Sequence, residues 1–195
     1  MNTIDRFHSW RRKLRWDKQY KSGRWDLLKD ESESVRYLTI SEHIRTYGIS
    51  NPDILALGCG EAILLDYLLP EDYNLFYGVD FSAISIEKAI KKQHFKAQFE
   101  TNDVQLFEPR QKFDIIIFNE IFYYIMDSKK KPVLEVMKSY LNPNGIIIVS
   151  MFRERPECWD FFQRKDLHSV DFKTVESEVS DKYWKIGVFS KKLQD

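Results

Sequence analysis

Cysteine is nearly absent from this sequence: Cys59 and Cys158 are its two examples, far apart in the chain. Two thiols cannot form a disulfide framework and lack the paired spacing of a zinc site, so a reducing, cytoplasmic setting is expected. Net charge is absent as well, because 30 basic and 30 acidic residues cancel. No overall field would hold such a protein on nucleic acid or an anionic membrane. Long apolar runs are missing, and none approaches the ~20 residues of a membrane span. Met1 to Trp16 mixes charges with tryptophan where a signal peptide needs an unbroken apolar stretch. Repeats of 20–50 residues and low-complexity tracts are also lacking. The four histidines, His8, His43, His94 and His168, are dispersed, and no His/Asp/Glu group has metal-ligand spacing, so no metal is expected.

What is present suits one α/β domain over residues 1–195. Hydrophobic residues make up 43% of the chain, enough for a single sizeable core. Ile54–Leu57, Ile115–Phe118 and Ile146–Val149 are apolar at consecutive positions, the pattern of strands buried on both faces in a parallel sheet. Leu75–Val79 is a weaker member, and a further strand is expected near Lys96–Thr101. Helical spacing separates them: Leu65, Leu68 and Leu69; Ile86, Ala89 and Ile90; and Val133, Val136, Met137, Tyr140 and Leu141. The last stripe stops at Asn142-Pro143-Asn144-Gly145, a turn into the next strand. Ser32–Tyr47 reads as an early helix with Tyr37, Ile40, Ile44 and Tyr47 on one face and Gly48 as terminator. After Val149, Cys158–Leu167 reads as helix, and Asp171–Val179 with Tyr183–Ser190 as a hairpin turning at Ser180-Asp181. The expectation is a seven-stranded, mostly parallel sheet flanked by helices, closed by an antiparallel pair, with residues 1–48 as helical lid and cover.

The chemistry concentrates where the first strand runs into Gly58-Cys59-Gly60-Glu61-Ala62. Glycines there let the main chain bend sharply and let a ligand lie against it, and the next helix offers unpaired N–H groups. A tight turn without a ligand uses the same residues. Asp80, twenty positions after Gly60 at the end of the second strand, adds an acceptor for ribose hydroxyls over the same crevice. Ser82 is placed to cap the following helix. Cys59, between the glycines, is accounted for by close packing.

These segments resemble the class I S-adenosylmethionine-dependent methyltransferases. The likeness continues through Asn102-Asp103, the strand from Phe113 to Glu120, and the LNPNGIIIVS turn and strand. Trp25-Asp26, Glu33–Tyr37 and Phe122-Tyr123-Tyr124 are similar to the branch with nodulation-type N-methyltransferases. The resemblance implies a Rossmann-like seven-stranded sheet with an antiparallel last strand, S-adenosylmethionine as methyl donor and S-adenosylhomocysteine as product. It places Gly58, Cys59 and Gly60 against the cofactor, Asp80 on the ribose, and Phe81 on the adenine face. Asn102 or Asp103 would reach the adenine edge beside Val104, and Asn119 and Glu120 would lie by the methionine end. Two departures stand out: Ala56 where the family usually has an acidic residue, and Ala62 where a third glycine is common.

Methyl transfer needs an aligned acceptor, exclusion of water and a proton acceptor for an amine or hydroxyl. Glu120 is the candidate base, and Tyr123 and Tyr124 are candidates for shaping the acceptor pocket. The opening segment Trp10–Trp16, on to Tyr20 and Trp25, combines cations with aromatics. It reads either as an RNA or anionic-acceptor patch or as an amphipathic lid carrying Trp16, Tyr20 and Trp25 as pocket residues. The balanced charge favours the lid and a small-molecule acceptor, an amine or hydroxyl of a metabolite or sugar derivative. A noncatalytic cofactor-binding protein, encouraged by Ala56, is the alternative. A dinucleotide-dependent oxidoreductase would want its third glycine at position 63, which is isoleucine. The sequence does not give the oligomeric state.

Overall fold

The computed structural model describes residues 3–192, with side chains from residue 12 onward. Trp10, Arg11 and His8 of the opening segment therefore lie outside the described side chains. Two helices, α1 (Thr3–Lys21) and α2 (Glu31–Tyr47), precede the sheet and are joined through a short 3-10 turn at Asp26–Lys29. Then come β1 (Asp53–Leu57), β2 (Leu75–Asp80), α3 (Ala83–Lys91), β3 (Ala97–Thr101), β4 (Phe113–Asn119), α4 (Asp127–Ser139) and β5 (Leu141–Phe152). The chain closes with α5 (Pro156–Trp159), β6 (Leu167–Glu176) and β7 (Tyr183–Lys191). Among the described residues no helix is long and apolar enough to cross a membrane.

All seven strands form one sheet in the order β3-β2-β1-β4-β5-β7-β6. β1 to β5 pair in parallel, and β7 runs antiparallel to both of its neighbours. Alternation along each strand explains the unbroken apolar runs. Leu55, Leu57, Ile116, Phe118, Ile147 and Val149 enter one core, which α4 covers with Val133, Leu134 and Met137. Their neighbours Ile54, Ala56, Ile115, Ile117, Ile146 and Ile148 enter the other, covered by Tyr37, Ile40 and Ile44 of α2. Ile116 and Ile117 are both fully buried, so truncating either to alanine is expected to cost about 2–5 kcal/mol.

Three local expectations are corrected. Leu65, Leu68 and Leu69 do not form a helix of several turns: a 3-10 turn, Ile63–Tyr67, gives way to extended backbone at Leu68. Pro70 follows, and a proline drives the residue before it out of helical conformation. The expected Cys158–Leu167 helix shrinks to Pro156–Trp159, because β6 already begins at Leu167, paired with Lys191. β6 also ends earlier than read, at Glu176 opposite Tyr183, and Ser177 N–H to Lys182 O (2.8 Å) starts the hairpin turn.

Candidate functional site

The carboxyl ends of β1, β2 and β4 meet around the glycine turn, where an open parallel sheet leaves its crevice. Gly58 and Gly60 have φ of +65° and +56°, values that favour glycine. Space matters there too. A Cβ on Gly58 would lie 2.8 Å from Ile121 Cγ1, and one on Gly60 would lie 2.9 Å from the Tyr20 hydroxyl. Asp80 ties the turn down: its Oδ2 accepts from Gly60 N–H (2.9 Å), and its Oδ1 accepts from Ser82 N–H (2.8 Å) and Ser85 Oγ (2.9 Å). Burial raises the Asp80 pKa, against the pull of those hydrogen bonds. Ser82 caps α3 as expected, accepting from Ser85 N–H at 3.3 Å. Burial pushes the Cys59 thiol well above its ordinary range, so it is no thiolate nucleophile.

Three adjoining cavities share walls at this edge. Ala56, Cys59, Gly60 and Asn119 line the first, about 40 Å³, under Tyr20 and Trp25. Asp80, Phe81, Asp103 and Val104 line the second, about 70 Å³, under Arg12 and Trp16. The third, about 410 Å³, is walled by aromatic side chains including Trp16, Tyr20, Trp25 and Tyr124, and reaches Glu120 and Tyr123. Tyr20 and Trp25 border both the first and third; Trp16, Ile121 and Tyr124 border both the second and third. Asn102 lines none of these three cavities, and its side-chain amide donates to Glu100 Oε1 (2.9 Å), while Asp103 lines the second.

α1 lies across the crevice. Ser82 Oγ donates to Asp17 Oδ1 (2.6 Å) and Arg12 Nη2 to Asp103 Oδ2 (3.2 Å), so α1 is fastened to the ends of β2 and β3. Trp16 stacks on Trp25 with ring centres 5.0 Å apart and meets the edge of Tyr124 at 5.1 Å. The lid residues anticipated from sequence thus come together with Tyr124 from the turn after β4.

Glu120 takes a left-handed backbone conformation, φ +58°, at the end of β4. Its Oε2 accepts from Tyr123 Oη (2.6 Å) and Phe152 N–H (3.1 Å), and its Oε1 from Ser150 Oγ (2.8 Å). Burial raises the Glu120 pKa, opposed by the Arg36 charge and by these donors. Tyr123 is raised by burial and by the facing carboxylate, so its hydroxyl stays a donor.

Arg36 was not singled out by the sequence reading. It is 1% exposed, donates to Glu33 Oε2 (2.8 Å) and to Asn119 Oδ1, and holds its guanidinium 4.2 Å from the centre of the Tyr37 ring. The signal was available: Glu33, Arg36 and Ile40 share one helical face, and a charge on a buried stripe is unusual unless paired. Lys182 completes the cluster at Glu33 Oε1 (3.0 Å). Its position on the hairpin carried no sequence signal toward this site.

Comparison with known proteins agrees with this geometry. The chain is 28% identical over 148 residues to malonyl-acyl-carrier-protein O-methyltransferase 2 of Ilyobacter polytropus, an alignment covering 73% of this chain and 53% of that protein. The chain thus spans about half the length of the curated relatives it matches. Among solved structures, N-methyltransferase NodS from Bradyrhizobium japonicum WM9, in complex with S-adenosylhomocysteine, superposes with a TM-score of 0.73 at 18% identity, covering 87% of this chain and 92% of that one. The 1,6-didemethyltoxoflavin-N1-methyltransferase of Burkholderia thailandensis gives 0.77 at 17% identity, covering 95% and 90%. Residues 50–185 match the family described as "Methyltransferase domain", and with the sheet order and glycine turn above, the chain belongs to that family and has the fold of the class I S-adenosylmethionine-dependent methyltransferases.

Proposed function

We propose that the protein transfers a methyl group from S-adenosylmethionine to an amine or hydroxyl of a small metabolite held in the 410 Å³ cavity. The observation that carries this reading is the junction of the three cavities at Tyr20, Trp25, Trp16 and Ile121. A two-part cofactor site opening into an acceptor site is what a group transfer between two bound molecules requires.

The residues present fit the cofactor. The main chain of Gly58, Cys59 and Gly60 would cradle it, in a turn where both glycines have positive φ and carry no side chain. Asp80 would accept from the ribose, since a carboxylate has about four acceptor sites and three are used here. Phe81, Asp103 and Val104 would surround the adenine. With alanine at position 56, Asn119, oriented by Arg36, would take the amino-acid end; the Arg36 Nε is buried without a partner among the described residues. S-adenosylmethionine, when bound, supplies a methyl carbon on a sulfonium that leaves with its bonding pair as a neutral thioether.

Glu120 receives the proton that the acceptor nitrogen or oxygen loses. Its raised pKa makes the carboxylate a stronger base than an exposed one. Tyr123 holds that carboxylate, and Trp16, Tyr20, Trp25 and Tyr124 exclude water around the transfer. Residues 1–48 act as lid and cover of one domain. Arg12 spends its charge on Asp103 inside the crevice, which supports a lid rather than a nucleic-acid patch. The free Cys59 and Cys158 suit a reducing cytoplasm.

Calorimetry with S-adenosylmethionine, S-adenosylhomocysteine and nicotinamide dinucleotides, followed by an acceptor screen, tests the reading. Binding of the sulfur compounds and methylation of a small amine or hydroxyl compound are expected. Preferential binding of a dinucleotide would overturn it, and firm cofactor binding with no acceptor in a broad screen would leave a noncatalytic binder.

A further inference from the structure

The third cavity carries information about the molecule it accepts. Its walls are flat rings from separate elements: Trp16 of α1, Trp25 of the following loop, Tyr124 after β4 and Trp184 of β7. Trp16 and Trp25 lie within 14° of parallel. Such surfaces favour a planar π system over a saturated one of equal size, by offset stacking and edge contacts.

Charge selects further. An aromatic box with two carboxylates, Glu33 and Glu120, at first suggests a cationic guest. Both carboxylates are already answered, however. Glu33 accepts from Arg36 and Lys182 at 2.8 and 3.0 Å, while Glu120 is held by Tyr123, Ser150 and the Phe152 amide and feels the Arg36 charge. Two further cations adjoin its aromatic walls. Arg24 lines the cavity with its guanidinium 6.0 Å from the Trp25 ring centre, and Arg155 lies 4.8 Å from that of Tyr123. Among the described residues neither is paired with a carboxylate, whereas their neighbours Arg153 and Lys185 pair with Asp181 and Glu154. Arg36 and Lys182 thus answer Glu33, and Arg24 and Arg155 are additional cations beside the aromatic walls.

Arg155 precedes α5 with φ +60°. Burial raises the Tyr124 hydroxyl, while the charges of Arg155 and Arg24 pull it back down. Both arginines thus bear on the same point of the rim.

We propose that the acceptor is a planar aromatic or heteroaromatic acid, its nucleophilic nitrogen or hydroxyl turned toward Glu120 and its carboxylate or phosphate bound between Arg24 and Arg155. The inference rests on the methyl-transfer reading, because it takes the third cavity as the acceptor site. The guest's anionic end is fixed by bidentate contacts that arginine makes well, and its ring is held against the aromatic walls of the cavity. Together these leave the opposite edge of the ring at Glu120.

The test uses matched sets on benzene, naphthalene, quinoline and pteridine frames, each comprising a hydroxylated or aminated carboxylic acid, its carboxamide, its aminomethyl counterpart and, for benzene, the cyclohexane acid. Binding is measured by calorimetry to the protein with and without S-adenosylhomocysteine. In at least one frame the acid is expected to bind tenfold or more tighter than its carboxamide, aminomethyl or saturated partner. Arg24→Gln and Arg155→Gln should each weaken the acid about tenfold while leaving the carboxamide unchanged. Equal affinity of acid and carboxamide, preference for the aminomethyl compound, equal binding of the saturated acid, or no binding in any frame overturns the proposal. S-adenosylhomocysteine titrated alone reports separately on the methyl-transfer reading.

Discussion

Tyr123 donates its hydroxyl to Glu120 Oε2 at 2.6 Å, joining the turn after β4 to the last residue before it. This bond favours the ionised carboxylate, whereas burial, the larger influence, favours the neutral acid and leaves the Glu120 pKa raised. A base is active only when deprotonated. Activity should therefore fall on the acid side at a pH above the ~4.3 of an ordinary glutamate. Tyr123→Phe removes a donor that holds the pKa down, so its acid limb should move to higher pH. Glu120→Gln should lose about 100- to 10,000-fold in single-turnover rate with cofactor affinity little changed. The pH profiles of wild type and Tyr123→Phe, with titration of S-adenosylhomocysteine, check both. An acid limb that stays in place in Tyr123→Phe would remove Glu120 from the proton's path.

Asp80 is built into the turn more firmly than the sequence suggests, since it holds Gly60, Ser82 and Ser85 at 2.8 to 2.9 Å. Asp80→Ala leaves those groups without their acceptor in a buried place. It should weaken S-adenosylhomocysteine by about 1.5–3 kcal/mol and also lower the stability of the cofactor-free protein by about 1–3 kcal/mol. Chemical denaturation without ligand gives the second number. A cofactor-free protein of unchanged stability would show that the turn holds its shape without the carboxylate.

The fold and the glycine turn were legible because their signals are local. Ile115–Phe118 is apolar at every position since alternate residues enter two different cores, and Gly58 and Gly60 announce a turn that φ near +60° demands. Ser82 was legible as a cap for the same reason. Arg36 and Lys182 were not, because their roles come from tertiary contacts: Glu33 links them across 149 residues of chain to Lys182. The Leu65–Leu69 stripe misled by its spacing, which Pro70 overrules. Asn102 and Asp103 are equally polar in sequence, and only the fold shows that the Asn102 amide bonds Glu100 while Asp103 lines the second cavity.

The position of α1 across the crevice makes a kinetic prediction. Asp17 accepts from Ser82 at 2.6 Å, and Arg12 pairs with Asp103 at 3.2 Å with 29% and 11% of their side chains exposed. Asp103 lines the second cavity together with Arg12 and Trp16, so these bonds place α1 to hold a ligand in the crevice. Asp17→Ala is expected to speed release of S-adenosylhomocysteine about tenfold, the effect of losing one charge-assisted hydrogen bond worth about 1.5 kcal/mol. Stopped-flow tryptophan fluorescence reads this through Trp16 and Trp25. Unchanged release rates in Asp17→Ala and Arg12→Gln would mean that α1 does not gate the crevice.

The last prediction concerns acid stability. Glu61, 5% exposed, directly follows the glycine turn and binds Lys88 Nζ at 2.5 Å and Lys29 Nζ at 2.6 Å, tying α3 and the Asp26–Lys29 turn to it. Burial pushes the Glu61 carboxyl up, but the hydrogen bonds and charges of the two lysines outweigh it, and the net direction is down. A carboxyl whose folded pKa lies below its unfolded value of ~4.3 contributes stability that is complete above ~4.3. That contribution disappears as pH falls through the folded value, where the carboxyl is protonated in both states. Because both lysines are partly exposed, solvent screening holds the contribution to about 1–2 kcal/mol. Glu61→Gln should therefore melt a few degrees below wild type from pH 6 to 8, with the gap closing as the pH drops below the glutamate range. Paired melting curves across that range check the sign. A gap that persists unchanged into strong acid would assign the loss to packing of Glu61 rather than to its charge, and the lysines would then be fastened to the turn by something other than this carboxylate.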